Sequence, residues 1–151
     1  MARTMQIEFH LTFACVIRGH HAYKNIWTPA KGERLECHHD SSPDASKHDA
    51  DSIGIYKDNV VVGHAPKEIS RLLNFFLKSN AEARLIAIPN GQRTYEFGLV
   101  VPSNYVAILP KSVKFAEKNM EIMKKKLTEI NDEHKVDISV EEIICKIDYD
   151  E

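Results

Sequence analysis

The sequence predicts an α+β fold that is mainly β: a small β-barrel with an inserted helix, followed by a C-terminal helical extension. Three observations predict it. Apolar and polar residues alternate through residues 7–13, which is the period of a half-buried strand. Short segments of strand type lie on both sides of one amphipathic helix at 67–78. Pro110 separates this part from a long segment of helical periodicity at 113–134.

The first segments are predicted as two strands joined by a loop. Residues 5–18 form the first strand, because the alternation passes into a continuous apolar run that suits burial on both faces. Residues 20–32 are predicted as a loop and residues 33–38 as a short strand. Residues 39–51 are rich in Ser, Asp and Pro and are predicted to be irregular.

A hairpin and a helix follow. Strands at 52–56 and 59–62 flank the polar turn Lys57-Asp58-Asn59, which is typical of a hairpin. Pro66 then opens a helix, since proline is tolerated in a first turn. Residues 67–78 place five apolar side chains on one face: Ile69, Leu72, Leu73, Phe76 and Leu77.

Three further strands complete the predicted barrel, at residues 82–88, 95–101 and 105–109. The turn between the first two is marked by Pro89-Asn90-Gly91. Pro110 marks a boundary, so the sequence predicts a barrel domain at 1–110 and a helical extension at 111–151.

The extension begins with a predicted helix at 113–134, whose narrow apolar stripe includes Met120, Met123 and Leu127. The lysines around this stripe form a solvated face, a phosphate contact or the rim of a partner-docking surface. Residues 136–149 fit either a short strand or a second helix.

Composition limits the function. The chain of 151 residues has a net charge of −2 and a pI near 6.4, which argues against non-specific coating of duplex nucleic acid. No apolar run approaches the ~20 residues that span a bilayer, and no secretory signal is recognisable. The three widely spaced cysteines do not predict disulfides, so an intracellular protein is expected.

Metal binding and catalysis are not predicted. Five residues of metal-ligand type are grouped along the chain: Cys37, His38, His39, Asp40 and His48. Zinc usually takes two spaced pairs of ligands, whereas adjacent histidines on a strand point to opposite faces and no second pair follows. A phosphate-binding loop, a Gly-x-Ser-x-Gly elbow and a His-Glu-x-x-His motif are also missing from the sequence. No catalytic residue, metal or cofactor is therefore expected.

Four motifs occur in order within residues 14–106. They are Gly19-His20-His21-Ala22-Tyr23, Gly32-Glu33, His48-Asp49 ahead of a strand of small residues, and Val62-Gly63-His64-Ala65-Pro66-Lys67 at the start of the helix. Their order and spacing resemble those of the HIRAN domain, a module found in DNA-repair translocases. The Val-Gly-His-x-x-Lys segment is the most specific part of the resemblance.

The resemblance implies an OB-like barrel that binds the 3′ end of single-stranded DNA. In the family, aromatic rings stack on terminal bases, an Asp accepts the hydrogen bond of the 3′ hydroxyl, and a His and a Lys contact phosphate. Asp49 then corresponds to the hydroxyl acceptor, and His64 and Lys67 to the phosphate ligands. His21 and Tyr23 would flank the pocket, and a helix starting near Pro66 would direct its N-terminal amides at an anion.

Three positions depart from the family pattern, and one of them is His21, which stands where an Arg would sit. Ala22 stands where relatives carry a second Tyr, and His48 replaces a stacking aromatic residue beside Asp49. Stacking contributes ~1–3 kcal/mol per base, so the resemblance implies weaker binding than in those relatives.

Two functions follow from the sequence. The first is a non-catalytic module, nuclear rather than cytoplasmic, that binds single-stranded DNA. The second is a protein-interaction module that uses the barrel as a scaffold and the C-terminal helix for assembly.

Overall fold

The computed structural model of the chain describes residues 4–19, 27–90 and 100–150. The strands within these residues are β1 (Thr4–Ile17), β2 (Leu35–His39), β3 (Ile53–Lys57), β4 (Val60–His64), β5 (Arg84–Pro89), β6 (Val101–Pro110), β7 (Ser139–Val140) and β8 (Ile144–Asp150). The helices are α1 (Pro43–His48), α2 (Lys67–Ser79) and α3 (Ala116–His134).

The strands form one antiparallel sheet in the order β4-β3-β2-β5-β6-β1-β7, and β8 also pairs with β1. The two ends of this path approach each other. Arg18, just after β1, exchanges two backbone hydrogen bonds of 2.8 and 2.9 Å with His64, the last residue of β4. The predicted mainly β, OB-like fold with an inserted helix is confirmed.

Gly63 is required where the C-terminal ends of β1 and β4 lie side by side. A Cβ atom at this position would lie 2.4 Å from Ile17 Cγ2 and 3.1 Å from the Arg18 carbonyl oxygen. Since both distances are too short for ordinary van der Waals contact, only glycine lets the two strands approach this closely.

The core lies inside the curled sheet. The alternation in β1 directs Leu11, Phe13 and Ile17 inward, where each is fully buried. Tyr105 of β6 stacks on Phe13 with ring centroids 5.3 Å apart. Its hydroxyl donates a 2.7 Å hydrogen bond to the Val16 carbonyl, which satisfies its buried polar atom. Desolvation raises the pKa of the Tyr105 hydroxyl well above its usual value.

Most strand and helix predictions are confirmed within the described residues. The hairpin turn contains Asp58 and Asn59 at φ angles of 51° and 68°, as a tight turn of this kind requires. The helix predicted at 67–78 is α2, one residue longer at its C-terminal end. Of the strand predicted at 95–101, residues 95–99 lie outside the described residues.

The prediction that residues 39–51 are irregular is wrong for Pro43–His48, which form α1. Ser42 caps this helix by accepting a hydrogen bond from the Ala45 amide, and Pro43 occupies its first turn. A helix of only six residues in a segment rich in Ser, Asp and Pro has the composition of a loop, which is why the sequence pattern does not reveal it.

The C-terminal segment packs on the barrel. Met120, Met123 and Leu127 of α3 are buried in the same hydrophobic core as the inward face of β1. The apolar face that the interaction hypothesis assigned to a partner therefore contacts the chain's own core. Residues 136–149, for which strand and helix were both open, contain β7 and all but the last residue of β8, and both strands pair with β1. The division at residue 110 stays a prediction. No helix in the described part of the chain is long and apolar enough to cross a bilayer.

Candidate nucleic-acid interface

A cleft of about 580 Å³ opens where β1, β2 and β4 end and α2 begins. Four of the six residues predicted to bind DNA line it: His48, Asp49, His64 and Lys67. The other two, His21 and Tyr23, lie outside the described residues. The remaining lining includes Arg18, Asp40, Ser42 and Asp44, which the sequence analysis did not assign to this cleft.

Asp49 is held rigidly on the wall of the cleft. Its Oδ1 accepts a 3.0 Å hydrogen bond from the Asp51 amide, and its Oδ2 accepts one from the Ser70 hydroxyl of α2. Asp51 is fixed in turn, because its Oδ1 accepts a 2.9 Å hydrogen bond from the Asn74 side chain. A carboxylate has about four lone-pair sites. With two of them occupied, Asp49 retains acceptor capacity for a ligand hydroxyl.

His64 and Asp40 form a pair that sequence analysis missed. His64 Nε2 lies 2.7 Å from Asp40 Oδ2, and Asp40 Oδ1 accepts a 3.0 Å hydrogen bond from the Ser42 amide. Partial burial opposes ionisation of Asp40, but the hydrogen bonds from His64 and Ser42 outweigh it, and the pKa lies below its usual value. The carboxylate therefore fixes the orientation of the His64 ring.

The cationic side chains of the cleft differ in their pairing. Arg18 Nη1 donates to both carboxylate oxygens of Glu68, at 2.9 and 3.1 Å. Burial opposes ionisation of Glu68, but hydrogen bonds from its own backbone and from Arg18 prevail, and its pKa lies below its usual value. Lys67 is exposed, and no carboxylate among residues 4–19, 27–90 and 100–150 pairs with it. Lys67 is thus the cation best placed to meet an anionic ligand.

The start of α2 adds to this positive potential. Pro66 occupies the N-cap position and makes no side-chain cap hydrogen bond to the first turn. First-turn amides carry the positive end of a helix dipole, which favours a negatively charged group. Lys67 and Ala65 both line the cleft, so this helix end faces it.

The residues grouped as possible metal ligands point in different directions. Cys37 is buried in the core, whereas its neighbour His38 is exposed on the other face of β2. Burial raises the pKa of the Cys37 thiol far above its usual value, which disfavours the thiolate that metals bind. Within the part of the chain that the structure describes, no group of three or more candidate ligands has metal-binding geometry.

Comparison with known proteins supports the fold. Neither protein-family models nor curated proteins give a match to this sequence. Among solved structures, the chain is similar to the crystal structure of the HIRAN domain of human HLTF, with a TM-score of 0.54 and 17% identity. The similarity covers 81% of this chain and 92% of the HLTF domain. The predicted resemblance to the HIRAN domain is confirmed at the level of the fold.

Proposed function

We propose that the cleft binds single-stranded DNA at a free 3′ end and that the chain has no catalytic activity. The observation that carries the proposal is the position of Asp49. A carboxylate fixed by two hydrogen bonds shares one cleft with the cation Lys67 and the imidazole of His64.

The chemistry of a 3′ end matches these groups. Its terminal hydroxyl is a donor that Asp49 can accept, whereas a 3′ phosphate offers only acceptors and added negative charge. The phosphodiester on its other side is an anion that suits Lys67 and the α2 amides. Similarity to the HIRAN fold adds support, because His64 and Lys67 of the Val-Gly-His-x-x-Lys motif line this cleft.

Fluorescence anisotropy with 5′-labelled oligonucleotides tests the proposal. A strand with a 3′ hydroxyl should bind at least about tenfold tighter than the same strand with a 3′ phosphate, since a hydrogen bond to a charged group contributes ~1.5–3 kcal/mol. Equal affinity for the two strands would refute end recognition.

Two substitutions separate hydroxyl recognition from general electrostatics. Asp49→Asn should remove most of the preference for the 3′ hydroxyl. Asp44→Asn removes the same charge from the same cleft and should leave the preference intact. If both variants change the preference equally, Asp49 is not the acceptor. Lys67→Gln should weaken binding of both oligonucleotides, the 3′ hydroxyl and the 3′ phosphate form. It should also reduce the slope of log affinity against log salt concentration by the amount expected for about one lost phosphate contact.

The non-catalytic part of the proposal has its own test. Incubation with labelled single-stranded and duplex DNA in the presence of Mg²⁺ should leave both intact, and protein-dependent cleavage would contradict it. We further propose a role in DNA repair and a nuclear location, because the motifs of the chain resemble those of a module found in DNA-repair translocases. Imaging of a fluorescent fusion checks the location, and a protein confined to the cytoplasm would contradict it.

A further inference from the structure

Strand β8 forms an edge of the sheet. Within residues 4–19, 27–90 and 100–150, it pairs with β1 and with no other strand. Its side chains at 144–147 are all exposed, and Ile144 and Ile147 retain 47% and 56% of their accessible surface. An apolar edge strand of this kind is a template for pairing with another strand.

The two faces of β8 differ in character. Cys145 and Ile147 stand opposite Phe9 and Ile7 of β1 and share their face. Lys146 stands opposite Glu8, on the other face. The strand therefore has an apolar face continuous with β1 and a face that carries charge.

The sequence of β8 is complementary to itself in one antiparallel register. We propose that a second copy of this chain pairs with β8, with the two-fold axis at Ile147, to form a continuous sheet across the dimer. In this register Ile147 stands opposite its own copy, and position 146 (Lys) stands opposite position 148 (Asp) of the second copy on each side of the axis. Position 145 (Cys) stands opposite position 149 (Tyr) of the second copy.

The charged residues of β8 favour this register over the registers next to it. A symmetric antiparallel pair must place one residue opposite itself, because side chains that face each other lie on the same side of the sheet. Moving the axis by one residue places Lys146 opposite Lys146, or Asp148 opposite Asp148. Like charges directly opposite one another destabilise a strand pair, and opposite charges stabilise it. The axis at Ile147 gives two favourable pairs instead.

A charge-swap experiment on the full chain tests the interface by sedimentation or by size-exclusion chromatography with light scattering. The wild-type chain should form a dimer. Lys146→Asp and Asp148→Lys should each weaken dimerisation by about tenfold or more, since each places like charges opposite one another twice. The double variant Lys146→Asp with Asp148→Lys restores opposite charges and should restore the dimer.

Three outcomes would overturn the proposal: a monomeric wild-type chain at all concentrations, single variants that dimerise as well as wild type, or a double variant as weak as the singles. A monomer would mean that Lys146 protects the edge from pairing, as charges on edge strands commonly do.

Disulfide trapping tests the register independently of affinity. Directly opposite residues in an antiparallel pair have Cα atoms ~4.5–5.5 Å apart, which suits a disulfide. Tyr149→Cys should therefore give a covalent dimer through Cys145 of the second copy under mild oxidation. Asp150→Cys, one residue further along the strand and opposite Ile144 of the second copy instead of Cys145, should not. A Tyr149→Cys variant that stays uncrosslinked, or equal crosslinking of the two variants, contradicts the register.

Discussion

Substitution of Gly63 by alanine should destabilise the fold, because it places a methyl group between the closely spaced ends of β1 and β4. The new Cβ would lie 2.4 Å from Ile17 Cγ2, about an ångström inside ordinary contact. Neither neighbour can move freely: Ile17 is fully buried, and the Arg18 carbonyl accepts a 2.9 Å hydrogen bond from the His64 amide. Overpacking of this kind costs ~1–3 kcal/mol, so we expect a loss of about 2 kcal/mol in the free energy of unfolding.

Urea unfolding followed by the fluorescence of Trp27, the single and buried tryptophan, measures this loss. A double-mutant cycle with Ile17→Ala identifies its cause. Since that substitution removes the clashing Cγ2, Gly63→Ala should cost at least ~1 kcal/mol less in its presence. Equal costs in both backgrounds, or a loss under ~0.5 kcal/mol in the wild type, would refute the steric argument.

Three further predictions concern polar pairs, each measured as the free energy of unfolding. Because the pKa of Asp40 is lower in the folded chain, the unfolded chain takes up a proton at this carboxylate first as the pH falls. The stability that the carboxylate contributes is therefore complete above its usual pKa of 3.8. It is lost as the pH falls through the lower pKa of the folded state. Asp40→Asn should remove this difference, and an unchanged pH profile in the acid range contradicts it. Asp51→Ala should cost ~1–3 kcal/mol because it leaves the buried Asn74 amide without its acceptor; a loss too small to measure would show that water replaces it. Arg18 and Glu68 are partly exposed, so their coupling in a double-mutant cycle should not exceed ~1 kcal/mol; a much larger coupling would contradict solvent screening.

Much of the fold follows from local patterns in the sequence. The alternation in β1 predicts which side chains form the core, and the periodicity of α2 predicts its buried face. The turn residues Asp58 and Asn59 adopt the left-handed conformation that the hairpin signature requires. These features depend on residues within a few positions of each other, where propensity and periodicity act directly. The formation of helix α1 and the burial of the apolar face of α3 in the core depend on tertiary packing instead.

The candidate site depends on contacts between distant segments. Asp40 and His64 are separated by 24 positions, and they meet because β2 and β4 both flank β3. Sequence analysis grouped Asp40 with its neighbours Cys37 and His38 as possible metal ligands, since spacing along the chain was the only guide. The register of the sheet decides instead which residue types share a face.

The Val-Gly-His motif has a structural cause that is independent of any ligand. Gly63 permits the close approach of β1 and β4, and the resulting bridge to Arg18 positions His64 beside Asp40. A chain can therefore keep Val-Gly-His in order to close its sheet, whether or not it binds DNA. Lys67 is different, because its side chain is exposed and makes no ion pair with any described residue. Loss of DNA affinity in Lys67→Gln without loss of stability is consequently sharper evidence for the proposed function than any effect at Gly63 or His64.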